Sequence, residues 1–274
     1  MKFVALKRSV LYVFAVGYAV IALFPMLLMV VSSFRPNVEI LTKPLSLPTK
    51  WSIASFETLF VQLNYASYIK NSVVVSAVTL VLLLLFSIMA SYYIARFPFK
   101  WNGPLFFYFL IGMMLPLKLG LVPLFMLIKQ LNLMNTLWSI ILIQIGAGIP
   151  MTLLILTGFF RTLPKELEEA ARIDGAGDMG MLLRVLAPLM KPAIGTVTII
   201  NFIAVWNDFF FPMIFIRDEA KKTIPVGMLK LFSEFTTDWS VLFAGLTMSS
   251  LPILIIFFFA SRQFMDGITS GAVK

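Results

Sequence analysis

About six stretches of this chain are apolar over about 20 residues each, the length a helix needs to cross a hydrocarbon core. They run near 10–31, 73–95, 104–128, 137–160, 193–212 and 242–261. No other feature so narrows what the chain can fold into, because a backbone in hydrocarbon must satisfy its own hydrogen bonds, and a helix does so within one segment. Composition agrees: 60% of the 274 residues are hydrophobic and 13% charged, with a mean hydropathy of +0.95, far from a soluble domain. The expected fold is an all-α polytopic membrane protein, with residues 1–274 forming a single transmembrane domain. Lys2, Lys7 and Arg8 precede the first stretch as in a signal peptide. That stretch is longer than an h-region and no small-residue cleavage site follows it cleanly, so it reads as a retained helix.

The chain has no Cys and no His. That removes disulfides, thiol catalysis, Cys/His metal sites and imidazole acid–base chemistry. No G-x-x-x-x-G-K-[ST] run is present, so nothing here cradles a nucleotide phosphate. The expectation is a mechanical or binding role, with no catalysis and no metal or cofactor site of its own. The net charge of +9 does not imply nucleic acid, because the Lys and Arg residues sit at the ends of apolar stretches, where they anchor helices and set orientation.

Lys plus Arg counts over all connections are nearly even, so orientation rests on the short ones. Lys2, Lys7 and Arg8, then Arg96 and Lys100 after the second stretch, put the N-terminus and that turn in the cytoplasm. About six crossings return the C-terminus there. The segment 161–192 is then cytoplasmic, and 32–71 and 213–240 are external.

The cytoplasmic loop from Leu163 to Pro192 is patterned like a compact helical hairpin. Thr162 and Pro164 suit a helix start, and Glu166, Glu168 and Glu169 complement the positive end of the helix dipole. Leu167, Ala170, Ala171 and Asp174 share one helical face of mostly small side chains, which admits close approach by another surface. Gly175, Ala176 and Gly177 end that helix, Asp178 can cap the next, and Pro188 and Pro192 punctuate the return to the membrane.

Glu169, Ala170 and Ala171, then Gly175 after Arg172, Ile173 and Asp174, and finally Val185 through Pro188 resemble the EAA loop of ABC importer permeases. A chance fit of these residue types at this spacing is on the order of one in a thousand. Ala187 departs from the pattern, which favours Leu there. The resemblance extends over essentially the whole chain and narrows to the carbohydrate-uptake, maltose-type branch. Further matches are Leu23-Phe24-Pro25, Ser33-Phe34-Arg35-Pro36, Asn71-Ser72-Val73, Trp206-Asn207-Asp208 and the tail from Gly267 to Lys274. The resemblance implies half of a translocation pathway in a bacterial-type inner membrane. It further implies a homologous second permease, two ATP-binding cassette subunits that bind ATP and magnesium, and an extracytoplasmic sugar-binding protein. Within it, Glu169, Ala170, Ala171, Asp174, Gly175 and Pro188 are the candidate ATPase-coupling residues.

Charges inside a span are expensive and face protein or water. Lys118 and Asp208 qualify, and counting at about 1.5 Å per residue places both in the outer half of the bilayer, where they are candidate neighbours. One reading has Lys118, Asn201, Trp206, Asn207 and Asp208 line the translocation path, where an aromatic ring and amide or carboxylate groups suit sugar faces and hydroxyls. The other has Asn207 and Asp208 brace helix contacts or sit at the outer interface. Pro116, Gly120 and Pro123 around Lys118 predict a kinked or broken third helix, either a hinge or a static bend.

Segment 32–71 reads as an extended arm ending in an amphipathic helix along the membrane. Both external segments, including the aromatic run from Phe232 to Trp239, suit either a binding-protein contact or interfacial anchoring. The resemblance has the tail from Asp266 to Lys274 reach between the ATPase subunits. Function then reads as an ATP-driven sugar importer permease working by alternating access, or the same class serving a polyol or glycerol-phosphate type solute. A stand-alone secondary transporter is the rival, for which one expects an internal repeat, discontinuous helices and buried acids deep in the core, and of these only Pro116 to Pro123 offers a sign.

Overall fold

The computed structural model describes the backbone of residues 2–232 and 237–272, and the side chains of residues 11–232 and 237–259. Among the described residues every regular element is helical. They are α1 (Lys2–Ser32), α2 (Asn37–Thr42), α3 (Ala54–Gln62), α4 (Tyr65–Arg96), α5 (Asn102–Met114), α6 (Leu121–Gln130), α7 (Leu137–Thr162) and α8 (Glu166–Ile173). After these come α9 (Asp178–Leu189), α10 (Lys191–Trp206), α11 (Phe210–Phe215), α12 (Ile224–Gly227) and α13 (Trp239–Ala272). The chain is an all-α polytopic membrane protein.

Among the described residues four helices are individually long and apolar enough to span, within α1, α4, α7 and α13. Two bent pairs reach the same length and apolarity only when each is taken together: α5 and α6, which meet at 86°, and α9 and α10, which meet at 79°. The third stretch is therefore broken where Pro116, Gly120 and Pro123 predict. Pro116 precedes a 3₁₀ turn from Leu117 to Gly120 and lies in extended backbone, with φ −67° and ψ 101°. The expected 193–212 helix is interrupted as well: α10 stops at Trp206, and the chain breaks at 207–209 before α11. The Asp208 carboxylate accepts from the Phe210 amide at 3.1 Å, a local side-chain bond that competes with continuation of the helix.

The chain divides into two compact units. The first comprises Met1–Ala66 and Gly227–Pro252, the second Ser67–Val226 and Ile253–Lys274.

In the first unit, α1 is apolar and exposed around its girth from residue 11 to residue 27. The segment after it is not an extended arm. Arg35, fully buried, donates to the carbonyls of Pro44 at 3.0 Å, Glu39 at 3.1 Å and Lys43 at 2.6 Å, and to the Ser46 hydroxyl at 2.9 Å. A guanidinium presents a fork of five donors, and here it gathers the loop after α2 into a knot. Phe34 packs on Trp51 and Phe56. The Tyr65 hydroxyl donates to the Gly245 carbonyl at 2.8 Å, and a Cβ on Gly245 would collide with the Met228 side chain.

Three apolar clusters lie among the described residues of the second unit. One joins Tyr92, Leu156, Phe160, Ala171, Met181, Leu186 and Val197, from α4, α7, α8, α9 and α10. A second joins Val75, Leu83, Ile140, Ile145 and Val205, and a third Ile128, Ile143, Phe211 and Phe215. A hydrogen-bonded clasp at the end marked by residues 217–223 completes the unit. Asn135, at φ +60°, accepts on its side chain from the amides of Arg217 at 3.0 Å and Asp218 at 2.9 Å. Asn71 donates to the carbonyls of Ala220 at 2.8 Å and Lys222 at 2.9 Å, and Tyr68 donates to Glu219.

Candidate functional site

The loop between α7 and α10 is a two-helix hairpin, and its register follows from a few residues. Thr162 ends α7 instead of starting α8, its hydroxyl turned back to the Phe159 carbonyl at 2.8 Å. α8 begins at Glu166 with Glu166, Glu168 and Glu169 in its first turn and Arg172 in its last, charges that complement the dipole at both ends. It closes in a Schellman motif: Gly175, at φ +80°, donates to Arg172 at 3.0 Å and Ala176 donates to Ala171 at 2.9 Å. Glycine takes that left-handed conformation without the Cβ clash other residues meet. Asp178 does not cap α9 with its side chain; it pairs with Arg172 at 3.3 Å.

One face of α8 is anchored. Ala171 is buried among Phe160, Met181 and Leu186, so its small side chain is occupied within the chain's own core. Glu168 pairs with Arg96 at 2.5 Å, with side-chain exposures of 13% and 6%, and Arg96 also donates to the Leu163 carbonyl at 2.8 Å. The hairpin is thereby tied to the end of α4. The other face is open: Glu169, Ala170, Asp174 and Gly175 are exposed, as is Pro188 on α9, and Ile173 is 87% exposed. An isoleucine so exposed beside anchored core residues gives the open face an apolar tip. α9 contains a π-helical stretch, Met181–Leu186, a winding that is rare and frequent at functional sites.

The second group surrounds the breaks in the third and fifth spans. The Gln144 amide donates to Asp208 at 2.6 Å, and the Asn201 amide donates to the Thr152 hydroxyl at 3.0 Å and the Val197 carbonyl at 2.7 Å. Between these links Gly148 lets α7 approach: a Cβ there would stand 2.6 Å from Asn201 Oδ1 and 2.9 Å from Leu83 Cδ2. Lys118 Nζ lies 5.1 Å from the centroid of the Phe210 ring, within reach of a cation–π interaction. No ion pair joins Lys118 to Asp208 among the described residues. Asn201 and Trp206 are buried, Trp206 stacked on Phe202 at 5.4 Å, whereas Lys118 and Asn207 are exposed and Asp208 is half-buried. Gln144, Gly148 and Thr152 were absent from the sequence-derived candidates; their spacing of four along α7, one polar and small stripe on a helix face, was the available signal.

Comparison with known proteins decides the family. The model of the binding-protein-dependent transport system inner membrane component family matches residues 84–270, which include both the hairpin and the polar group. The chain belongs to this family. Among curated members it is 39% identical to the Bacillus subtilis protein named probable ABC transporter permease protein YurM, over 96% of this chain and 87% of that one. It is 35% identical to the arabinooligosaccharides transport system permease protein AraQ of Halalkalibacterium halodurans, covering 93% of this chain and 92% of the relative. Identity is 32% to the diacetylchitobiose uptake system permease protein NgcG of Streptomyces coelicolor, over all of this chain and 90% of that one. A chain of a bacterial ABC transporter involved in import of the acidic polysaccharide alginate superposes with a TM-score of 0.83 at 23% identity, covering 95% of this chain and 97% of that one, and shares the fold. As an inner membrane transport component, the family member described here is a multi-pass membrane protein.

Proposed function

We propose that this chain is the permease subunit of an ATP-driven importer of sugars or oligosaccharides, one half of a translocation pathway completed by a second, homologous permease. The chain performs no catalysis and holds no cofactor: ATP and magnesium belong to two ATPase subunits, and an extracytoplasmic binding protein delivers the sugar. Membership of a binding-protein-dependent family and the oligosaccharide cargo named for its relatives support the substrate class.

The observation that carries the coupling role is the two-faced α8. Ala171 and Glu168 anchor it, while Glu169, Ala170 and Ile173 stand free. A helix so held moves with the span it is tied to, so force applied at its open face reaches α4, α7 and α10 through one packed cluster. Glu169 supplies the polar contact to the ATPase, Ala170 and Ile173 the close apolar contact, and Gly175 the turn; Asp174 and Pro188 flank them. Both termini lie in the cytoplasm in this reading, and lipid and the second permease cover α1.

Along the pathway, Lys118, Asn207 and Asp208 are accessible enough to meet a solute, and Asn201 and Trp206 hold the break at 207–209 in place. The test is uptake of labelled oligosaccharide into proteoliposomes. The chain with its permease, ATPase and binding-protein partners transports only with ATP; transport by the chain alone overturns the assignment.

A further inference from the structure

Outside both regions, the second unit carries a cavity of about 620 Å³ lined by Phe125, Lys129, Asn132, Met134, Asn135, Phe215 and Arg217, a volume in the range of small-molecule sites. Its charge is one-sided. Lys129 and Arg217 are exposed and make no ion pair among the described residues. The acid next to Arg217 is engaged elsewhere: Asp218 pairs with Lys221 at 3.4 Å and accepts from the Ala220 amide at 3.0 Å. Two cations therefore face a recess floored by the Phe125 and Phe215 rings, which lie 6.0 Å apart.

The recess also has the features of a membrane-surface position. It lies where apolar α6 ends and apolar α7 begins, and Trp138, 50% exposed, stands one residue inside α7, where indole rings mark the headgroup layer. Along α6, Val122 and Met126, 66% and 59% exposed, lead toward Lys129 at helical spacing, forming an apolar ridge directly below the cations. A soluble anion has no use for that ridge; an acyl chain does.

We propose that this recess binds an anionic phospholipid, its phosphate held by Lys129 and Arg217 with Asn132 at the rim, and its acyl chain laid along Val122 and Met126. The charge pair selects anionic over zwitterionic headgroups, since each basic group near the surface favours an anionic lipid by several-fold.

The test uses the assembled importer in nanodiscs of phosphatidylcholine with a minor fraction of phosphatidylglycerol, reading co-retained lipid by native mass spectrometry. Wild type retains phosphatidylglycerol, the K129A/R217A double variant loses retention roughly ten- to thirty-fold, and the charge-conserving K129R/R217K variant keeps it. Val122→Asp, which breaks the ridge and leaves the cations, also lowers retention. Equal retention in wild type and K129A/R217A, or equal retention of both lipids, overturns the proposal. Displacement of the lipid by millimolar inorganic phosphate also overturns it, by assigning the recess to a soluble anion. Copurification of K129A/R217A with its partner subunits at the wild-type level separates lost binding from lost folding.

Discussion

Arg96, the last residue of α4, holds Glu168 of α8 at 2.5 Å and the Leu163 carbonyl at 2.8 Å. A single guanidinium thus fixes both the entry to the hairpin and its first helix. Both side chains are largely buried, so removal of one partner leaves the other poorly solvated, a loss of up to roughly 3 kcal/mol at such a boundary. Arg96→Ala is expected to lower substrate-stimulated ATP hydrolysis in the reconstituted importer at least tenfold, with Glu168→Gln milder because an amide still accepts a hydrogen bond.

Gly175 terminates α8 at φ +80°, a conformation that costs other residues about 1–2 kcal/mol. Open space surrounds it, so the penalty is conformational and not steric crowding. Gly175→Val is expected to impair coupled transport strongly and Gly175→Asn weakly, because Asn tolerates the left-handed region; paired uptake assays at matched expression check the order.

Gly148 separates the Gln144–Asp208 link from the Thr152–Asn201 link, and a methyl group there meets Asn201 and Leu83. Overpacking of this kind costs about 1–3 kcal/mol. Gly148→Ala is expected to lower the melting temperature of the detergent-solubilised chain, whereas Gly146→Ala, with open space around it, leaves it nearly unchanged.

The proposed roles of Asp208 and Trp206 differ. Asp208→Ala strands the Gln144 amide, at about 1–3 kcal/mol, and is expected both to destabilise the chain and to weaken apparent sugar affinity several-fold. Trp206→Ala removes a buried ring and is expected to lower stability while apparent affinity at the surviving protein level holds. Concentration-dependent uptake beside thermal melts distinguishes them.

Much of this architecture is legible in the sequence for a physical reason: twenty apolar residues have few options in hydrocarbon. The break around Lys118 was visible because Pro116 cannot donate and bends its own backbone. The break after Trp206 was not, since Asn207 and Asp208 look like polar residues in an uninterrupted apolar run until Asp208 is seen accepting from Phe210. Arg35 shows the same limit. Nothing local marks it as buried, because its acceptors are backbone carbonyls up to nine residues away and a hydroxyl eleven away. In the hairpin, helical periodicity placed Ala170 and Ala171 on one face, yet a one-residue step of about 100° sends Ala171 into the core and Ala170 out. Periodicity identifies a face; only packing decides which edge of it the chain keeps for itself. The residues 233–236 within the aromatic run from Phe232 to Trp239, and the side chains of the tail from Asp266 to Lys274, lie outside the described residues.

Because the chain lacks cysteine, a single Ile173→Cys substitution gives one thiol at the apolar tip of α8. Maleimide labelling of that thiol from the cytoplasmic side, with cysteine-free ATPase subunits present or absent, tests the coupling role most directly. Rapid labelling is expected in the chain without ATPases, with protection at least tenfold in the assembled importer. Equal labelling rates in the two states, with assembly verified by copurification, would exclude α8 as the ATPase contact.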